Sequence, residues 1–142
     1  MLTYETSVSI SAPQEMVWRV LSDVAAWPDW LPTVDKVEPL DGRVLQLGSR
    51  FLVQQPRLRP ATWTVTELEQ PRRFVWLARS PGLKMLADHT VDEESPGFSR
   101  VVLRFSFAGP LGGLLGRAFR SVTESYIMQE AASLKQKVEA SR

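Results

Sequence analysis

The chain has 142 residues, of which 44% are hydrophobic, 23% charged and 9% aromatic, with a formal net charge of +1 and no cysteine. That length buries a full hydrophobic core, and those proportions argue against disorder. Disulfide frameworks, thiolate zinc sites and cysteine nucleophiles are excluded together, and near-neutral charge supplies no global field for holding nucleic acid.

The segment from Met1 to Pro13 has neither the basic start nor the apolar run of a signal peptide. Charged residues or proline interrupt every apolar cluster well short of the roughly 18 residues that span a membrane. A cytoplasmic location without stable membrane insertion is therefore expected. Tyr4, Thr6, Val8 and Ile10 alternate with Glu5, Ser7 and Ser9, the period of a half-buried strand. Pro13 suits the first turn of a helix, where a missing N–H costs nothing. Met16, Val17, Val20, Leu21 and Val24 then recur at helical spacing. The two prolines between Asp23 and Pro32 permit only short helical turns, with Trp27 and Trp30 on one side.

From Thr33 to Gly109 the pattern is one of strands and tight turns. Phe51 and Val53 belong to one strand, and Trp63 and Val65 alternate with threonines in the next. Gln70 to Arg73 turns the chain into a strand over 74–79. Ser80-Pro-Gly82 and Ser95-Pro-Gly97 place proline before glycine as type II turns prefer, which predicts antiparallel strands over 83–92 and 98–108. After Gly109-Pro110, the spacing predicts a long amphipathic helix over 112–138, with Leu115, Phe119, Val122, Tyr126, Leu134 and Val138 on its inward face. No repeat, linker or composition shift divides the chain, so residues 1–142 are read as a single ligand-binding domain. The fold class is α+β: a curved antiparallel sheet wrapped around a long C-terminal helix, with two short helices after the first strand.

Three stretches resemble a known family: Ile10-Ser-Ala-Pro-Gln-Glu-Met-Val-Trp18, Leu21-Ser-Asp-Val-Ala-Ala-Trp-Pro-Asp-Trp-Leu-Pro32, and Gly109-Pro-Leu before the last helix. They look like the START-like (SRPBCC) superfamily, in its polyketide cyclase/dehydrase and lipid-transport branch. The resemblance implies the helix-grip fold and a cavity between sheet and helix. It implies no single reaction, since the superfamily includes carriers, receptors, cyclases and interaction modules.

His89 is the only histidine, and strand alternation puts it on the face of Met85, Ala87 and Val91, expected to be the inner one. A structural or ligand-orienting role is favoured over catalysis for a lone imidazole on an apolar face. Adjacent strand residues point to opposite faces, so Asp88 cannot orient the ring, and no Gly-x-Ser-x-Gly elbow completes a triad. One histidine with only carboxylates is a poor zinc shell, so no metal and no cofactor is expected. The pairs Glu67/Glu69 and Glu93/Glu94 sit near turns and read as solvated. The glycines from Gly109 to Gly116 lack the spacing of a phosphate loop and read first as a flexible entry into the helix; the second, less favoured reading is a mobile hinge on which Leu111, Leu114 and Leu115 open the cavity to lipid or a partner. Arg57, Arg59, Arg72, Arg73 and Arg79 fall near turns, with no interleaved aromatics to make a nucleic-acid platform.

Five tryptophans are many for this length, and the resemblance turns the aromatic stripe into a cavity lining. The candidate ligand-binding residues are Trp27, Trp30, Phe51, Trp63, Trp76, Met85, His89, Phe105, Phe119 and Tyr126. The leading expectation is binding or transport of a hydrophobic or amphipathic small molecule, such as a lipid, isoprenoid or aromatic metabolite, without chemical change. The enzyme alternative is a cyclase or dehydrase using His89 as general acid/base with Tyr126 assisting. The third is a protein-interaction module with a vestigial cavity.

Overall fold

Alternating apolar and polar residues set the faces of the sheet, and the register between strands then decides which side chains meet. In a computed structural model, which describes residues 1–141, the strands are β1 (Leu2–Ile10), β2 (Lys36–Pro39), β3 (Arg50–Gln54), β4 (Ala61–Glu69), β5 (Arg73–Ser80), β6 (Leu83–Ser95) and β7 (Phe98–Ala108). They form one antiparallel sheet in the order β1-β7-β6-β5-β4-β3-β2. Helix α1 (Gln14–Ser22) and a 3-10 helix (Val24–Asp29) follow β1, while α2 (Gly112–Ala118) and α3 (Arg120–Ala140) follow β7. Gly82 and Gly97 take φ of 75° and 81° in the Pro-Gly turns, a region where only glycine sits without strain.

Pairing Tyr4 with Phe105, Phe105 with Ala87, Ala87 with Trp76 and Trp76 with Val65 draws one row across the concave face. The next row holds Thr6, Leu103, His89 and Phe74. The convex face carries cross-strand ion pairs, including Arg73 with Asp88 at 2.8 Å and Arg104 with Glu5 at 2.6 Å. Polar and apolar alternation along each strand thus separates an outer layer of paired charges from an inner layer of rings.

Three features differ from the sequence reading. The short strand β2 went unrecognised, because its Lys-Val-Glu-Pro sequence gives too little alternation to score. A bulge between Val65 and Glu67 shifts the pairing of β4 with β5. The expected single C-terminal helix is interrupted at Phe119 (φ −97°, ψ 13°) into α2 and α3.

The inward stripe of that helix is also corrected. Leu134 and Val138 are fully buried as expected, but the remaining buried positions of α3 are Thr123, Ile127 and Ala131. Leu115, Val122 and Tyr126 are half-buried, and Phe119 is exposed. The cause lies in α2, where Gly112 and Gly116 rather than the leucines face the sheet. A Cβ on Gly112 would come within 2.9 Å of the Phe107 carbonyl oxygen, and one on Gly116 within 2.8 Å of Leu2 Cδ2. These glycines serve close approach rather than flexibility.

The C-terminal half of α3 runs along the edge strand β1. Lys135 Nζ donates to the Ser9 carbonyl at 2.7 Å, and the Ser11 amide donates to Glu139 Oε2 at 2.8 Å. Within the described residues, no helix is long and apolar enough to cross a membrane.

Candidate functional site

The concave face is organised around Trp27. Its indole Nε1 donates to the Leu21 carbonyl at the end of α1, at 2.9 Å, which swings the ring from the 3-10 helix over the sheet. There it lies 5.3 Å from Trp76, 5.8 Å from His89 and 6.4 Å from Trp30, centroid to centroid. Trp76 in turn contacts Trp63 at 5.6 Å, Phe74 at 5.4 Å and Phe51 at 6.1 Å. Phe105 reaches the cluster through Trp63 at 5.8 Å. Edge-to-face and tilted contacts at these separations are favourable beyond simple burial.

The rings of Trp27, Phe51, Trp63, Phe74 and Trp76 are all buried against one another and form a filled floor. Trp30, Met85 and Phe105 are only half-buried and border that floor. Tyr126 is also half-buried, but its hydroxyl donates to the Pro56 carbonyl in the β3–β4 loop, so it ties α3 to that loop instead of standing free. Phe119 stands apart from the ring cluster, exposed at the break between α2 and α3.

His89 points inward, 3% exposed, and its ring stacks on Phe74 at 4.1 Å with an 8° interplanar angle. Burial pushes the imidazole down to about 4, against weaker opposing effects of the Phe74 backbone and the Asp88 charge. Asp88 lies on the other face and is held by Arg73. Partial burial raises that carboxyl, but the guanidinium hydrogen bonds outweigh it and keep it below its usual range. Thr90, two residues on and on the same face as Asp88, is buried and donates to it.

Sequence reasoning missed Glu130. Its Oε2 lies 3.7 Å from His89 Nε2, and burial pushes this carboxyl up to about 8. At neutral pH the facing groups are therefore an uncharged imidazole and a carboxylic acid. His89 Nδ1 is buried without a hydrogen-bond partner. The signal for Glu130 was present in the spacing: it sits between Ile127 and Leu134 at helical intervals, an acid on the buried stripe of α3. The expected stripe of Tyr126, Leu134 and Val138 runs through Glu130 at i,i+4 spacing, but an acid does not register on a face traced through apolar residues alone.

Two grooves lie outside the ring cluster. One of about 440 Å3 runs between β1 and α3, lined by Val8, Met128, Ala131, Ala132 and Lys135 among others. The other, of about 270 Å3, lies where Met1 and Leu2 meet Gly113 and Arg117 of α2.

Several solved structures share this architecture. The Zhui aromatase/cyclase of a Streptomyces species superposes with a TM-score of 0.79 at 20% identity, over 97% of this chain and 93% of that one. Norcoclaurine synthase from Thalictrum flavum, solved with dopamine and hydroxybenzaldehyde, gives 0.78 at 12% identity, over 99% and 88%. A START superfamily protein from Mycobacterium smegmatis gives 0.72 at 15% identity, over 99% of both chains. At such identities the likeness establishes the helix-grip fold alone. Comparison with curated proteins returns no match. The family model for polyketide cyclase/dehydrase and lipid transport matches residues 1–139, and on that match across nearly its whole length the chain belongs to this family.

Proposed function

We propose that the protein binds a hydrophobic or amphipathic small molecule between its concave sheet face and α3, without changing it chemically, and that it does so in the cytoplasm. The observation that carries this reading is the His89–Glu130 pair. Buried polar groups are normally hydrogen-bonded, yet His89 Nδ1 is buried without a partner, while His89 Nε2 faces the half-buried Glu130 carboxyl of α3 at 3.7 Å, longer than a hydrogen bond. A ligand hydroxyl or carbonyl oxygen beside them gains a carboxylic acid donor and an imidazole acceptor. The apolar body of the ligand then lies on the half-buried border of Trp30, Met85 and Phe105. Affinity comes mainly from apolar burial, roughly 25 cal/mol per Å2 before ordering costs.

Native mass spectrometry of freshly purified protein, followed by titration of fatty acids, isoprenoids and polycyclic aromatics against tryptophan emission, tests this. Saturable binding is expected, weakened about tenfold by Glu130→Leu and little changed by Glu130→Gln, which keeps a donor. No co-purified molecule, no heat and no emission change with any class would overturn it.

The same pair favours a second reading, a cyclase- or dehydrase-like enzyme. A neutral base facing a protonated acid suits proton transfer at a carbonyl or hydroxyl. Glu130 is better placed than Tyr126 to be the second group, because the tyrosine hydroxyl is engaged by Pro56. Turnover lost in His89→Gln with binding intact would favour this reading over the carrier.

A further inference from the structure

The glycine face of α2 lies against the sheet, which leaves its larger apolar side chains outward: Leu111 is 43% exposed, Leu114 69%, and Phe119 at the following break 40%. This inverts the ordinary arrangement, in which leucines are buried and small residues tolerate solvent. Contiguous exposed apolar groups of this kind mark a surface that meets something else.

The surroundings indicate what it meets. Strand pairing brings the β3–β4 loop, the β5–β6 turn and the β7–α2 connection to one end of the sheet. The Leu111 amide donates to the Gly82 carbonyl at 2.9 Å, and Tyr126 ties α3 to Pro56, so these segments form one rim. The rim carries Arg57, Arg59, Arg79, Lys84 and Arg117, all exposed. Among the described residues none of these five has a carboxylate partner. Arg43, Arg50, Arg72, Arg73, Arg100 and Arg104, away from the rim, are all ion-paired. The acids Glu69, Asp92, Glu93 and Glu94 gather at the opposite end of the sheet, beside the β4–β5 and β6–β7 turns.

We propose that this rim docks reversibly on an anionic lipid surface. Leu111, Leu114 and Phe119 enter the boundary between headgroups and acyl chains while the unpaired cations meet lipid phosphates. Apolar insertion and electrostatic attraction are each weak alone and sufficient together, which gives peripheral attachment rather than spanning. The proposal stands whether or not the ring cluster takes up a ligand.

Vesicle flotation tests it with the full chain, using phosphatidylcholine alone and phosphatidylcholine mixed with phosphatidylglycerol. Binding to the mixed vesicles only, falling steeply with added salt, is the expected result. Leu114→Asp, at an exposed position, reduces binding about tenfold or more. The double variant Arg57→Ser/Arg59→Ser reduces it by about fivefold per cation removed. Lys137→Ser, an exposed cation of α3 away from the rim, changes it less than about twofold. Three results overturn the proposal: no flotation with mixed vesicles, equal loss in Lys137→Ser, or tight binding of single-stranded RNA that survives Leu114→Asp. The last would mark the rim as a polyanion site.

Discussion

His89 of β6 and Glu130 of α3 face each other across the interior, and their removal from solvent has opposite consequences for acid and base. Glu130 is held protonated up to about 8, against an ordinary value of 4.5, so the folded state keeps a proton that the unfolded chain releases. Stability from this source is complete below 4.5 and is lost as pH rises to about 8. His89, lowered from 6.5 to about 4, acts the other way: the unfolded chain binds the extra proton, so stability rises from about 4 to 6.5. Between 4.5 and 6.5 the two largely cancel, and between 6.5 and 8 only the Glu130 effect remains. Urea unfolding of the wild type should therefore show a loss of about 1–2 kcal/mol from pH 6.5 to 8.5, and Glu130→Gln should be flat over the same interval. Parallel slopes for both proteins would mean that Glu130 is ionised in the fold. His89 was legible in the sequence because a strand's period of two fixes its face from its neighbours alone. Glu130 was not, although it lies at i,i+4 spacing between Tyr126 and Leu134, because a helix face is recognised by its apolar residues and a carboxyl on it reads as a solvated charge.

Helix α2 shows how far backbone contact can override side-chain hydrophobicity within one element. Gly112 and Gly113 are adjacent and chemically identical, but their surroundings differ. A methyl group on Gly112 meets the Phe107 carbonyl oxygen at 2.9 Å, and one on Gly113 meets nothing within 4 Å. Gly112→Ala is expected to cost about 1–3 kcal/mol, because the clash is with backbone that cannot rotate away. Gly113→Ala should stabilise by up to about 1 kcal/mol through helix propensity and the entropy of the unfolded chain. Denaturant midpoints of the two variants check this, and equal shifts would contradict the packing of α2 on β7. The long strands and the existence of a C-terminal helix could be read from periodicity and Pro-Gly turns. The inward face of α2 could not, since nothing local distinguishes a glycine that allows close approach from one that loosens the chain.

For the molecule as a whole, the rings on the concave face are where most of the apolar core is concentrated. Trp76 touches Phe74 of its own strand and, from other elements, Trp27, Phe51, Trp63 and His89. Trp76→Ala should destabilise by about 3–5 kcal/mol with a cooperative transition retained, measured by urea unfolding with far-ultraviolet circular dichroism. A cost below about 1 kcal/mol would mean that the cluster is loosely packed. Inward placement of these aromatics followed from alternation along each strand. Their mutual contact did not, because it depends on the curvature of the sheet and on the hydrogen bond that carries Trp27 over it. The pairing of β1 with β7 has a further consequence, for the chain during its synthesis. Leu2 finds its partner at Phe107 and Ile10 at Ser99, so nearly the whole sheet must leave the ribosome before the first strand has a neighbour. At about 5–20 residues per second, that leaves β1 unpaired for roughly 5–20 s. Its amides and alternating apolar side chains are open for that time to any other nascent strand.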